Sequence, residues 1–247
     1  MFALSPFDWS LIASVAICIG LTKAGIPGLG IVIVPVMASV FPAKVSTGIL
    51  LPMLIIGDIL AVCYYRRHAD WWQLLRLLPF AVIGVVIGFL IMGAIDDILL
   101  KRVIGAVVLV LIALTLTKTG AGLEHRSHAI RLAVAGTVGI TAGLITMLAN
   151  AAGPLMTIYF LAMNLNKERF IGTRAWYFLI LNCIKVPFSH NLGFITMQSL
   201  VFNVTCLPAI ALGVVIGIFL VKRVQAQHYR YLVLVLAAAS AIRLVAN

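Results

Sequence analysis

Charged residues are scarce in this sequence. Asp, Glu, Lys and Arg make up only 10% of its 247 residues, and just seven of these are acidic. Soluble domains contain about 25% charged residues, so a chain with so little charge cannot cover a water-soluble globule. The 63% hydrophobic content therefore excludes the soluble classes and places the chain among the polytopic membrane proteins.

Motifs of catalysis and metal binding are also lacking. The sequence contains no HExxH metalloprotease motif, no GxSxG nucleophile elbow and no phosphate-binding P-loop. Its four cysteines show no paired spacing that would indicate a metal site or a disulfide framework. We therefore predict that the chain is not an enzyme, with no catalytic residue, no metal site and no cofactor.

The excess of basic residues is a topology signal. The net charge of +11 arises from 18 Lys and Arg residues, which lie mostly in short connections between apolar runs. Basic residues in such loops stay on the cytoplasmic side of a membrane and interact with anionic lipid. We interpret membrane lipid, and not nucleic acid, as the partner of this charge.

Eight apolar runs divide the chain. They cover 9–41, 45–65, 74–95, 99–119, 129–165, 169–189, 196–221 and 229–246. Six have the length of one spanning helix of about 20 residues, whereas the first and the fifth are too long. Each long run is interrupted by glycine and proline, so it fits a bilayer best as a hairpin of two shorter arms.

The distribution of basic residues favours the hairpin interpretation. If every run crossed once, the basic residues would divide almost equally between the two sides. If the two long runs are hairpins, one side keeps only Lys44, Lys101, Arg102 and Arg243. The other side then collects Arg66, Arg67, Arg76, Lys118, Arg126, Arg131, Lys167, Arg169, Lys222, Arg223 and Arg230. We expect that basic side to be cytoplasmic and both termini to be non-cytoplasmic.

The chain also contains an internal match. Leu78-Pro79 followed by the stretch 84–88 (GVVIG) matches Leu207-Pro208 followed by 213–217 (GVVIG). We predict an all-α polytopic membrane protein of two inverted repeats, each a broken or re-entrant helical hairpin plus three transmembrane helices. The repeats would be 1–119 and 129–247, joined by a linker at 120–128. The paired glycines are interpreted as helix-packing positions.

The two interruptions are the candidate site. A helix must begin near the middle of the membrane at Pro27-Gly28 and again at Gly153-Pro154, leaving unpaired N–H groups at each start. Two such helix N-termini, converging from opposite sides, would attract an anion. The alternative is that both are ordinary kinks in long tilted helices.

Four ionisable residues within the apolar runs need a partner or a task. Lys23 could neutralise a bound anion, pair with Asp58 or extend to the membrane interface. Asp58 is either an ion-pair partner of Lys23 or Lys185, or a proton site. Arg174 could contact an oxyanion or extend to the interface, and Lys185 is interpreted as extending to the interface. Several small polar residues could donate to an anion or join helices, namely Thr47, Asn150, Thr157, Thr173 and Asn182.

The interruptions resemble a known family. The first half carries Gly25-Ile26-Pro27-Gly28-Leu29-Gly30 followed by Pro35, and the second carries Gly153-Pro154-Leu155-Met156-Thr157, Asn166-Lys167 and Ile171-Gly172-Thr173-Arg174-Ala175. These stretches resemble the sulfite exporter TauE/SafE family, also called the 4-toluenesulfonate uptake permease family. The resemblance implies an inner-membrane transporter of sulfite, sulfonates or related anions. Asn150-Ala151-Ala152 departs from the glycines common before the second Gly-Pro, and Asn150 could donate a side-chain hydrogen bond instead.

The resulting expectation is a bacterial inner-membrane exporter of sulfite or a short organosulfonate. The expected substrate-binding residues are Lys23, Gly25, Pro27, Gly28, Gly30, Asn150, Gly153, Pro154, Thr157, Thr173 and Arg174. One alternative is proton-coupled uptake of a sulfonate or carboxylate. Another is a non-transporting membrane assembly or lipid-binding component. The sequence leaves open whether the chain forms a homodimer.

Overall fold

A computed structural model describes residues 4–26, 29–116, 127–165 and 167–223 of the chain. Within these ranges there are nine α-helices and one short 3-10 helix at Arg66–His68, and no strand. The α-helices are α1 (Pro6–Lys23), α2 (Gly30–Val40), α3 (Ala43–Tyr65), α4 (Trp71–Ala94), α5 (Asp97–Leu116), α6 (His128–Ala149), α7 (Gly153–Ala162), α8 (Lys167–Asn191) and α9 (Met197–Arg223). The all-helical prediction is confirmed. The predicted helix 229–246 and most of the 120–128 linker lie outside the described residues.

Five of the described helical stretches are long and apolar enough to cross a membrane. They are Pro6–Lys23, Ala43–His68, Trp71–Ala94, His128–Ala149 and Met197–Val221. The helices that follow the interruptions are shorter, with 11 residues in α2 and 10 in α7. Helix α8 has 25 residues, which is about 37 Å, but its composition is less apolar because it carries several charged side chains.

One end of the bundle, the Trp9 end, is where α1, α3, α5 and α9 begin. The ring of Phe202 contacts both Trp9 and Phe41, at centroid distances of 5.5 and 5.8 Å. The Asp97 carboxylate, at the start of α5, accepts hydrogen bonds from the first-turn N–H groups of Ala43 and Lys44. These donors have no partner within α3, so Asp97 both caps α3 and fixes α5 beside it.

The opposite end, the Asp70 end, is where α4, α6 and α8 begin. The Asp70 N–H donates a hydrogen bond of 2.8 Å to Thr173 Oγ1, and Trp71 packs against Trp176 with ring centroids 5.2 Å apart. Helix α6 lies parallel to α4, since Gly136 is beside Phe80 and later residues of both helices meet in the same order. The helices that begin here therefore run opposite to those that begin at the Trp9 end.

Glycines allow two helix pairs to approach very closely. A Cβ added to Gly84 of α4 would meet the backbone of Ile140 in α6, and one added to Gly213 of α9 would meet the backbone of Ile17 in α1. Gly88 and Gly217 lie one turn further along the same contacts. The interpretation of the two matching glycine pairs as packing positions is confirmed.

Candidate functional site

Both long apolar runs are interrupted where the sequence predicted. Helix α1 ends at Lys23 and α2 begins at Gly30, while α6 ends at Ala149 and α7 begins at Gly153. We call the two connections the first tip (24–29) and the second tip (150–152). Pro27 and Gly28, predicted to begin the second arm of the first hairpin, lie outside the described residues.

Each tip contains a residue with left-handed backbone geometry. Gly25 has a φ of 111°, and a Cβ at this position would lie 2.7 Å from the side chain of Ile171 in α8. Asn150, with a φ of 51°, ends α6 and turns the chain towards α7. Glycine and asparagine tolerate positive φ better than other residues, so the sequence suits these reversals.

The first tip is held by an ion pair. Lys23 Nζ lies 2.7 Å from Asp58 Oδ1, with side-chain exposures of 9% and 0%. Asn182 Nδ2 donates to the other carboxylate oxygen of Asp58 at 2.8 Å. Lys23 Nζ also lies 4.8 Å from the ring centroid of Phe178. Lys23 is thus paired with Asp58, and its extension to the membrane interface is excluded.

Arg174 reaches the start of the helix that follows the second tip. A Cβ added to Gly153 would lie 3.6 Å from Arg174 Nη2, and the Arg174 guanidinium carbon is 5.9 Å from the Phe178 ring centroid. The residue is 9% exposed, and its buried Nη1 has no hydrogen-bond partner among the described residues. The side chain therefore points into the bundle and does not extend to the interface.

Lys185 corrects the sequence interpretation, because it does not extend to the interface either. It is 1% exposed, and its Nζ lies 2.6 Å from Asn150 Oδ1 and 2.7 Å from the carbonyl oxygen of Thr146. Nζ also contacts Thr146 Oγ1 at 3.2 Å. The Thr146 carbonyl oxygen also accepts the Asn150 N–H at 3.0 Å, so its second lone pair is the one that accepts from this ammonium group. Asn150 Nδ2 in turn donates to the Thr47 carbonyl oxygen at 3.2 Å.

A cavity of about 30 Å³ lies between the two tips. Its lining residues are Thr22, Lys23, Gly30, Ile33, Leu54, Thr146, Asn150, Ala151, Gly153, Arg174, Phe178 and Asn182. A cavity needs about 10 to 15 Å³ of such volume to hold one water molecule, whereas an engineered cavity that admits benzene measures about 150 Å³. In this conformation the cavity therefore has room for a small polar species and excludes an aromatic ring.

Five of the residues proposed from the sequence to bind substrate line this cavity, namely Lys23, Gly30, Asn150, Gly153 and Arg174. The other described candidates lie beside it or elsewhere. Gly25 and Pro154 belong to the two interruptions but do not line the cavity. The Thr157 hydroxyl donates to the Gly153 carbonyl oxygen in its own helix, and Thr173 Oγ1 accepts from Asp70.

Sequence reasoning missed Phe178 and Lys185 at this site. Phe178 is one apolar residue among many in its run, and nothing local distinguishes it. Lys185 had a detectable signal, because Asn150 and Lys185 are 35 residues apart, as are Lys23 and Asp58. A repeated spacing between polar residues in apolar runs indicates that they meet.

Comparison with known proteins gives one match. The family model described as sulfite exporter TauE/SafE matches residues 12–244, which is nearly the whole chain. No curated protein and no solved structure matches the chain.

Proposed function

Because the chain belongs to the sulfite exporter TauE/SafE family, we propose that it transports sulfite or a short organosulfonate through the cavity between its two tips. Members of this family are multi-pass membrane transporters and not enzymes. The main support for the proposed site comes from Arg174. Its buried Nη1 has no hydrogen-bond partner among the described residues. An oxyanion at the start of α7 would provide that partner.

The chemistry of this position suits an oxyanion. The guanidinium group offers several donors in a rigid plane that matches two oxygens of a sulfite or sulfonate group. The first N–H groups of α7 have no partner within the helix, and its N-terminus carries about half a positive charge. Lys23 lines the same cavity and adds an ammonium donor there, although its charge is shared with Asp58. Together these groups would replace the water lost when an anion enters the membrane.

The size of the cavity favours a small substrate. At about 30 Å³ it has room for one or two water molecules in this conformation, so sulfite would need a small expansion of the cavity and a short organosulfonate a larger one. An aromatic sulfonate would need the tips to separate, because even benzene needs a cavity of about 150 Å³.

An inverted repeat would support transport. We propose that 1–119 and 129–247, joined by 120–128, are equivalent halves with opposite orientation, so that α1 to α4 correspond to α6 to α9. Helix α1 of the first half then packs in parallel on α9, and α6 of the second half packs in parallel on α4. Because α1 corresponds to α6 and α9 to α4, the two contacts are equivalent under the proposed repeat. Opposed halves around a central site are the arrangement that alternating access uses.

The cytoplasmic side is proposed from the basic residues. The Asp70 end carries Arg66, Arg67, Arg76, Arg131 and Arg169, whereas the Trp9 end carries Lys44, Lys101 and Arg102. Basic loop residues are retained in the cytoplasm. We therefore place the Asp70 end in the cytoplasm of a bacterial cell and both termini on the other side of its inner membrane.

Export is the direction we propose. An interior held negative drives an anion outward by about 2.3 kcal/mol per charge per 100 mV, so an exporter needs no coupling ion. Asp58 favours a second candidate, proton-coupled uptake, because a carboxylate paired with a cavity lysine could be protonated as an anion arrives. Flux that requires an inward proton gradient, and is abolished in Asp58→Asn, would favour uptake.

Binding to the purified protein tests the site. We expect sulfite and methanesulfonate to raise the melting temperature in detergent with increasing concentration, because only the folded state binds them. Arg174→Gln should abolish this stabilisation, and the matched control Arg67→Gln, at the exposed Asp70 end, should retain it. If neither anion stabilises the wild type, or if Arg174→Gln responds like wild type, the proposed site is wrong.

A further inference from the structure

We propose that Lys185 is an uncompensated cation of the anion site and makes it selective for doubly charged over singly charged oxyanions. The proposal rests on the proposed function, because it concerns the same cavity. Lys185 does not line the cavity itself. Both residues that accept its hydrogen bonds, Thr146 and Asn150, do line it.

The equal spacing of the two buried pairs shows what is unusual about Lys185. In the first half Asp58, on α3, contacts Lys23 at the end of α1. In the second half Lys185, on α8, contacts Asn150 at the end of α6, and both pairs span 35 residues. The helix residue is thus acidic in one half and basic in the other. The first pair joins a base to an acid, whereas the second joins a base to a neutral amide.

The partners of Lys185 are all neutral. Its ammonium group contacts the Thr146 carbonyl oxygen, the Thr146 hydroxyl and the Asn150 amide oxygen. Three acceptors match the three donors of an ammonium group, so its hydrogen bonds are satisfied. The buried Asp58 acts on the Lys185 ammonium group only from a longer distance, because Asp58 is in contact with Lys23.

The charges around the cavity therefore do not balance. Lys23 and Asp58 pair with each other, which leaves Arg174 and Lys185, both buried and neither in contact with a carboxylate of the described chain. Two uncompensated positive charges in a medium of low dielectric constant are costly. An anion with two charges cancels both, whereas an anion with one charge leaves one uncancelled.

Sulfate and methanesulfonate test this selectivity. Both present a tetrahedral sulfur with oxygens, but sulfate carries two charges and methanesulfonate one. We would measure their dissociation constants by calorimetry on the full-length protein in detergent, at constant ionic strength. The wild type should prefer sulfate by about tenfold, in spite of the stronger hydration of sulfate, because one further buried charge interacts with Lys185.

Two variants separate charge from structure. Lys185→Gln removes the charge while keeping a donor for Asn150, and should lose most of the preference for sulfate. Lys185→Arg keeps the charge and should keep the preference. A merely structural role would lower both affinities in proportion and leave their ratio unchanged in either variant. Lys44→Gln, at the Trp9 end, is the matched control for loss of a distant lysine, and its ratio should equal that of wild type.

The outcomes distinguish this proposal from the proposed function. If the wild type binds methanesulfonate as tightly as sulfate, or more tightly, the role of Lys185 is refuted. The proposed transport site is then still supported, because both anions bind. An unchanged ratio in Lys185→Gln refutes it equally. If no anion binds, both proposals fail. The wild-type ratio needs no variant, so the test remains decisive even where Lys185→Gln does not fold.

Discussion

Lys23 and Asp58 form an ion pair at the end of α1, with Lys23 Nζ 2.7 Å from Asp58 Oδ1 and both side chains largely shielded from solvent. The carboxylate occupies one face of a lysine that also lines the cavity. An incoming anion must therefore share Lys23 with Asp58 or displace it. In the proposed transport site, Asp58 would therefore compete with the substrate for Lys23.

Asp58→Asn tests this competition. Removing one partner of a buried ion pair leaves the other uncompensated, so the anion-free variant should be less stable than wild type by about 3 kcal/mol. A bound anion should then replace the lost carboxylate. We expect sulfite to raise the melting temperature of Asp58→Asn by more degrees than that of wild type. An equal or smaller rise would mean that Lys23 is not available to the anion.

Thr173→Val separates structural from binding threonines. The Thr173 hydroxyl accepts the Asp70 N–H at the start of α4. Valine has a similar shape but leaves that donor unpaired, so the free energy of unfolding should fall by about 1 to 3 kcal/mol. Because the hydroxyl is engaged away from the cavity, the affinity for sulfite should not change. A loss of affinity for sulfite in a folded Thr173→Val protein would show that Thr173 takes part in binding.

Gly84→Ala tests the close contact of α4 with α6. A Cβ at Gly84 would meet the Ile140 backbone, so this substitution should destabilise the protein by about 1 to 3 kcal/mol. Gly93, on the same helix, is the matched control, since its Cβ would lie 3.7 Å from Leu192 in ordinary contact. Gly93→Ala should be neutral or stabilising by up to about 1 kcal/mol, because alanine favours helix. Equal melting temperatures for the two variants would contradict the packing.

The proposed topology is tested with fusions. A reporter enzyme that is active only in the cytoplasm should be inactive when attached after Asn247. The same reporter attached after residue 121, in the predicted linker between the halves, should be active because the linker is expected at the cytoplasmic end. High activity of the Asn247 fusion would reverse the orientation or exclude one of the hairpins.

The helices and the two interruptions were predictable because their signals are local. Run length together with glycine and proline located both breaks to within a few residues. The candidate site was predictable in part. Lys23, Asn150 and Arg174 are polar residues in apolar runs, where a polar group without a partner is costly. Lys185 looked like a residue near a membrane interface. Its partners, Thr146 and Asn150, lie on α6 and in the second tip, and only the packing of α8 against the end of α6 brings them to Lys185.

Transport in proteoliposomes tests the central claim most directly. Vesicles loaded with radiolabelled sulfite should release it faster when they contain the wild-type protein, and faster still when the membrane potential favours anion exit. Thr173→Val should release sulfite at the wild-type rate for the same amount of folded protein, whereas Arg174→Gln should release it no faster than protein-free vesicles. Wild-type flux in Arg174→Gln would contradict a transport route through the cavity between the two tips.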